Sequence, residues 1–273
     1  MNENTQFHSE EGTTKILLYS GGMDSWLIKE LWKPDYCFYV NVASHYSCNE
    51  MDHLKSLDSS SRPKLVRGIE LRRFERGDFI IPYRNVYLIL AALNEYERLN
   101  PMEKQKTKHQ VVEICLGATA GDRVLDKSPE FAENLSRLLT QLSRPQHWTG
   151  GNSREIRVVL PFKSWTKRDL LREYASRGST PAEKQALLHS AWSNSFSCYT
   201  PDENGEPCGT CKPCFRKTVA FTLEGYRNNE YIKKAHDYIL RSGIWDQIQA
   251  GTYGRAEEES DIKEFMDGYS RGF

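Results

Sequence analysis

The chain lacks several features that would fix its function class at once. With 37 Lys plus Arg against 37 Asp plus Glu its formal charge is zero. No net field draws the whole protein to nucleic acid or an anionic membrane, and a small-molecule substrate is the simpler expectation. No apolar run approaches the roughly 20 residues that cross a bilayer. Met1 to Gly12 is polar and acidic, without the basic and apolar parts of a signal peptide, so the expected location is cytoplasmic. There the seven cysteines are expected as reduced thiols or metal ligands, not disulfides. No internal repeat is present. The length of 273 residues suits one α/β domain with a sizeable core and a smaller appendage.

A lysine is also missing where a phosphate-binding loop usually has one. The apolar strand Lys15 to Tyr19 runs into Ser20-Gly21-Gly22-Met23-Asp24-Ser25 and then into a helical segment, Trp26 to Leu31. A strand, a glycine turn and a helix start make an anion site: backbone N–H groups approach a phosphate, Ser20 and Ser25 add hydroxyls, and the helix dipole favours negative charge. No Lys follows Gly22, so the usual Gly-x4-Gly-Lys-Ser/Thr loop is excluded. The bland alternative is a tight turn with Asp24 at a helix start. The run resembles the pyrophosphate loop (PP-loop) of the ATP pyrophosphatase superfamily. That resemblance implies cleavage of ATP between the α and β phosphates and transfer of AMP to a substrate oxygen.

Cys198, Cys208, Cys211 and Cys214 cluster near the C-terminal third, the last three as Cys-Gly-Thr-Cys-Lys-Pro-Cys. Two overlapping C-x-x-C steps with a fourth thiol nearby suit a closed tetrahedral zinc site. An iron–sulfur cluster takes the same ligands, and a redox dithiol is the metal-free alternative. Cys37 and Cys115 lie in apolar strands and read as small core residues.

Strand-like and helix-like segments alternate along the first 180 residues. This pattern predicts a Rossmann-like α/β fold, a parallel sheet with helices on both faces. The expected division is a disordered segment 1–13, an ATP- and substrate-binding domain 14–180, a helical zinc-binding region 181–250 and a polar C-terminal tail 251–273. Asn100 to Gln110 reads as a lysine-rich solvated loop. In an open parallel sheet ligands bind beyond the carboxyl ends of the strands. Ser20 to Ser25, Gly117 to Asp122 and the segment from Pro161 onward all follow strands and converge on one crevice.

The remaining polar candidates lie after strands. Pro82-Tyr83-Arg84-Asn85 opens a long helix, with Arg84 suited to clamping a phosphate or carboxylate and Asn85 to reading an amide edge. Gly117 to Asp122 offers a flat backbone wall beside a carboxylate, and Pro129-Glu130-Phe131 pairs an acid with an aromatic. Without context Glu130 reads as a first-turn dipole partner and Phe131 as core, and Lys167 and Asp169 as ordinary residues at a helix start.

Taken in order, Ser-Gly-Gly-x-Asp-Ser, Pro-x-Arg-Asn, Gly with a following Asp, Pro-Glu-Phe, Pro161 with Lys167 and Asp169, and the cysteine motif resemble one family from about Lys15 to Phe221. It is the 7-cyano-7-deazaguanine synthase (QueC) family. The resemblance implies ATP-dependent conversion of 7-carboxy-7-deazaguanine and ammonia to the nitrile, with Mg2+, a structural Zn2+ on four cysteines, and a homodimer. Ser20, Gly21, Gly22 and Ser25 would hold pyrophosphate, Asp24 would sit near magnesium, and Lys167 or Arg84 would offset charge at the α-phosphate. Asn85, Gly117, Asp122, Glu130 and Phe131 would face the deazaguanine.

Two stretches depart from the family pattern. Tyr46-Ser47-Cys48 stands where Tyr-Gly-Gln is usual, preceded by His45, a candidate base. Asp126-Lys127-Ser128 replaces a Tyr-Pro-Asp-Cys-Arg run. Two further readings therefore stay open. One is the same activation stopping at an amide with ammonia or with an amine of a partner protein, as in antiviral or modification systems. The other is a non-catalytic nucleotide-binding zinc protein.

Overall fold

This computed structural model describes residues 12–77, 80–101, 109–145, 147–148 and 152–273. Five strands, β1 (Thr13–Leu18), β2 (Tyr36–Asn41), β3 (Lys64–Arg67), β4 (His109–Cys115) and β5 (Ser153–Val159), form one parallel sheet in the order β3-β2-β1-β4-β5. The order reverses beside β1, which places a crevice beyond its carboxyl end. Register is fixed by apolar pairs such as Ile16 with Ile114 and Val112 with Ile156.

Successive side chains of a strand point to opposite faces, and each face has its own core. On one side Leu17 and Cys115 pack with α1 (Met23–Trp32), α5 (Lys167–Ala175) and α6 (Pro181–Asn194), and with Leu54 of α2 (Ser47–Ser56). On the other, Ile16, Val112, Ile114 and Ile156 meet α3 (Arg84–Leu99) and α4 (Pro129–Leu142). The predicted Rossmann-like architecture is thus present.

The cysteine-bearing part is helical: α7 (Lys212–Leu223), α8 (Asn229–Arg241), α9 (Ile244–Gln249) and α10 (Ala256–Arg271). It has a core of its own, with Phe215, Val219, Ile232, Ile239 and Phe265 buried together. Helix α7 belongs to both bodies, because Ala220 and Phe221 pack into the sheet-side core.

The expected polar tail 251–273 is corrected here. Residues 256–271 are helical, with Ile262, Phe265 and Met266 buried. Arg168 of α5 holds Asp261 and Glu264 of this helix and Glu224 beyond α7. Residues 1–11 of the expected disordered segment and residues 102–108 of the expected loop lie outside the described residues. Among the described residues no helix is long and apolar enough to cross a membrane.

Candidate active site

The turn after β1 builds the phosphate-facing end of a cleft of about 370 Å³, within the range of small-ligand sites. Gly21 has φ +78°, and an added Cβ would meet Leu54 at 2.9 Å, so the turn requires glycine. Ser20 and Ser25 hydroxyls share a hydrogen bond of 3.2 Å, and the Ser25 hydroxyl also donates to the Gly22 carbonyl at 3.0 Å. The Met23 N–H donates to Ser197 Oγ at 3.0 Å, and the Phe196 N–H donates to the Gly21 carbonyl at 2.9 Å. The segment just before Cys198 therefore props the loop from behind. Lys167, the first residue of α5, forms an ion pair with Asp24, the second residue of α1. A capping box between Thr166 and Asp169 starts α5 at that point, so Asp169 positions the helix that carries Lys167.

At the other end the cleft is lined by Tyr39, Tyr46, Glu50, Arg84, Asn85, Asp122 and Lys127. Tyr83 has φ +61°, a left-handed conformation uncommon for a residue with a side chain, and it immediately precedes Arg84. The Arg84 guanidinium donates to the Tyr46 hydroxyl at 2.9 Å, and the Tyr46 ring stacks on Tyr199 with centroids 5.3 Å apart. Asn85 is 3% exposed and its amide donates to the Asp126 carbonyl at 3.3 Å. Asp122 accepts from the Thr119 N–H at 3.0 Å and from Lys127 at 3.1 Å. Burial would raise its carboxyl, but Lys127 and that N–H outweigh it and hold it below the usual carboxylate range. Glu50 differs. Burial lifts it to about 7, against the opposing pull of the Tyr39 hydroxyl, which donates at 2.9 Å, and of the Arg84 charge.

The candidates from sequence do not all meet. Ser20, Gly22, Asp24, Ser25, Arg84, Asn85, Gly117, Asp122 and Lys167 line the cleft, and Gly21 shapes its turn. Glu130 and Phe131 do not line it. Ser128 caps α4 by accepting from the Phe131 N–H, which leaves Glu130 exposed on the first turn and sends Phe131 against the second core. His45 is exposed, and its N–H donates to Glu75. Sequence reasoning missed Glu50 and Tyr39. The one signal for Glu50 was its position in the first turns of a helix after β2, at the same sheet end as the glycine loop.

Cys198, Cys208, Cys211 and Cys214 bring their sulfurs within 4.8 Å of one another. A tetrahedral ion with bonds of about 2.3 Å needs sulfurs about 3.8 Å apart, whereas an iron–sulfur cube with thiolates outside its corners needs wider spacing. The donor set thus fits a single zinc ion. Gly209 makes the turn between thiols at φ +73°. Backbone N–H groups of Thr210 and Cys208 point at Cys208 and Cys198 sulfurs at 3.4 and 3.3 Å, and hydrogen bonds from Cys198 and then Cys214 draw Cys211 down toward thiolate. Thiolate is the form that binds metal.

The family model for "Queuosine biosynthesis protein QueC" matches residues 37–225. The chain is 23% identical over 240 residues to the 7-cyano-7-deazaguanine synthase of Polynucleobacter asymbioticus, covering 78% of this chain and 89% of that one. It is 25% identical over 244 residues to the enzyme of the same name from Chlorobium luteolum, covering 78% and 93%. For 7-cyano-7-deazaguanine synthase 1 of Sphingopyxis alaskensis the identity is 24% over 242 residues, covering 78% and 96%. The family model spans more than half of the chain, and with a glycine loop and cleft on a Rossmann-like sheet beside a helical four-cysteine region, the chain belongs to the QueC family.

Proposed function

We propose that this protein is an ATP-dependent carbon–nitrogen ligase that adenylates the carboxylate of 7-carboxy-7-deazaguanine and passes the acyl group to ammonia, giving 7-cyano-7-deazaguanine. The observation that carries this reading is the convergence of the Ser20 to Ser25 loop, the Asp24–Lys167 pair and Arg84 in one cleft. A carboxylate resists amines because oxide would have to leave. Adenylation replaces that leaving group with AMP, and a second activation of the resulting amide oxygen lets the nitrile form.

Ser20, Gly21, Gly22 and Ser25 receive the departing pyrophosphate, and the N-terminus of α1 favours its charge. Lys167 and Arg84 offset negative charge as the carboxylate oxygen attacks the α-phosphate. Asp24 would hold Mg2+, whose positive charge neutralises the triphosphate. Asn85, Gly117 and Asp122 face the nucleobase. Zn2+ on Cys198, Cys208, Cys211 and Cys214 is structural, its role being to anchor the segment that supports the glycine loop. A homodimer is the expected assembly.

Product analysis tests this reading: purified protein, ATP, Mg2+, 7-carboxy-7-deazaguanine and ammonium should yield the nitrile, AMP and pyrophosphate. A second reading stops at the amide, formed with ammonia or with an amine of a partner protein. The replacement of Tyr-Gly-Gln by Tyr46-Ser47-Cys48 at the cleft end opposite the glycine loop favours keeping it. An amide mass, or a mass added to a copurifying protein, would identify it. Absence of AMP with every amine would leave a nucleotide-binding protein without catalysis.

A further inference from the structure

Among the described residues the cleft is lined by three carboxylates, Asp24, Glu50 and Asp122. Two of them are spoken for: Asp24 pairs with Lys167, and Asp122 with Lys127. A carboxylate held against an ammonium is a poor proton acceptor, because protonation forfeits the ion pair. Glu50 is held by a neutral group. The Tyr39 hydroxyl, itself on a residue 4% exposed, donates to Glu50 Oε2 at 2.9 Å and fixes the carboxylate from one side. The groups that act on it are Tyr39 from β2 and Arg84 from α3; one N–H of the Arg84 guanidinium donates to the Tyr46 hydroxyl.

Amine attack on an acyl adenylate needs such a group. The nitrogen lone pair forms the bond to the acyl carbon, the carbon–oxygen bond to AMP breaks, and AMP leaves with that electron pair. The nitrogen then carries a surplus proton, which must go to a base before the adduct reverts. We propose that Glu50 is that base: it accepts the proton of the attacking amine and returns it to water after AMP has left, and Tyr39 positions it. This rests on the adenylation reading above and adds to it the residue for the second half-reaction. Its ionisation, lifted by burial to about 7, is matched to neutral pH, where general bases are most effective.

The two half-reactions can be read separately. Exchange of pyrophosphate into ATP, dependent on 7-carboxy-7-deazaguanine, reports adenylation alone, and product formation with ammonium reports both steps. Glu50→Gln keeps an acceptor for Tyr39 and removes the basic oxygen. It should leave exchange within about threefold while lowering amine-dependent turnover about 100-fold, the scale of general-base catalysis. With free ammonia held constant, wild-type turnover should fall below about pH 7, and that limb should vanish in Glu50→Gln. In Tyr39→Phe the limb should move to higher pH, because the lost hydrogen bond favoured the charged form. Equal loss of exchange and turnover in Glu50→Gln, or survival of the acidic limb, would overturn the assignment. If the wild-type protein shows no exchange at all, the adenylation reading itself fails and takes the assignment with it; exchange without any loss in Glu50→Gln turnover removes Glu50 alone.

Discussion

The two ends of the cleft are built by different physics. At the glycine-loop end the working groups are backbone N–H donors and two hydroxyls within six consecutive residues, on a turn that Gly21 alone permits. Its long-range partners are few: the Phe196 and Ser197 segment holds it from behind through the loop's main-chain groups, and Lys167 with Asp24 is an ion pair between two helix starts. At the opposite end Tyr39, Glu50, Arg84 and Asp122 come from β2, α2, α3 and the loop after β4 and rely on side-chain hydrogen bonds. The first end depends on the shape of the main chain and suits a constant ligand such as pyrophosphate. The second depends on side chains from separate segments, and changing one of them leaves the main-chain turn of the first intact. Divergence in what attacks or accepts is therefore expected there, where Tyr46 lines the cleft and is followed by Ser47-Cys48 in place of the expected Gly-Gln.

The sharpest test of the phosphate end is Asp24→Ala. It leaves Lys167 without its partner and the proposed magnesium without its ligand, and turnover should fall by about 1,000-fold or more while zinc content stays unchanged. Cys211→Ser should act from outside the cleft. Zinc binding should be lost and the melting temperature lowered on the order of 10 °C. Phe196 and Ser197, next to Cys198, hold Gly21 and Met23, so pyrophosphate exchange should fall with them. Retention of full exchange by a zinc-free Cys211→Ser protein would show that the loop stands without that prop.

A smaller effect is expected from Arg84→Lys at the side-chain end. The ammonium keeps the charge but loses the planar fork that reaches both Tyr46 and a bound anion. About tenfold in kcat/KM should be lost, roughly 1.4 kcal/mol, and the loss should fall on kcat, because the charge that Arg84 offsets develops only as the carboxylate attacks the α-phosphate. A loss confined to KM for the deazaguanine would make Arg84 a substrate-binding group alone.

What could be read from sequence follows the same division. The strand, glycine turn and helix start are contiguous, and the cysteines are closely spaced, so both stand out along the linear chain. Glu50 carries no flanking motif. Its partner Tyr39 lies 11 residues away and meets it only because β2 and α2 fold back together. Glu130 and Phe131 belong to a segment that follows a strand, where crevice residues are expected, but the Ser128 cap sets the first turn of α4 the other way. Helix α10 was hidden by its acidic residues, Glu257, Glu258 and Glu259 among them, although Ile262, Phe265, Met266 and Tyr269 keep helical spacing. Its acids are paired in the fold, Glu258 with Arg216, a residue of the cleft wall.

The smallest prediction concerns stability, and it probes the side-chain end without any substrate. Burial raises Glu50 from the ordinary 4.5 to about 7 in the folded protein. Below about pH 4.5 the group is protonated whether the chain is folded or not, and it costs nothing. Between about 4.5 and 7 the unfolded chain releases the proton and the folded one keeps it, so stability falls as pH rises through that window and stays lower above it. Glu50→Gln removes the ionisation. The variant should gain on the order of 1 kcal/mol over wild type at pH 8, a figure reduced for the partial exposure of the carboxylate, and less than half of that at pH 5. Denaturant midpoints measured across that range decide it. A gain that is independent of pH would mean that Glu50 is not held in the uncharged form, and that the two ends of the cleft are electrostatically more alike than the side-chain contacts make them.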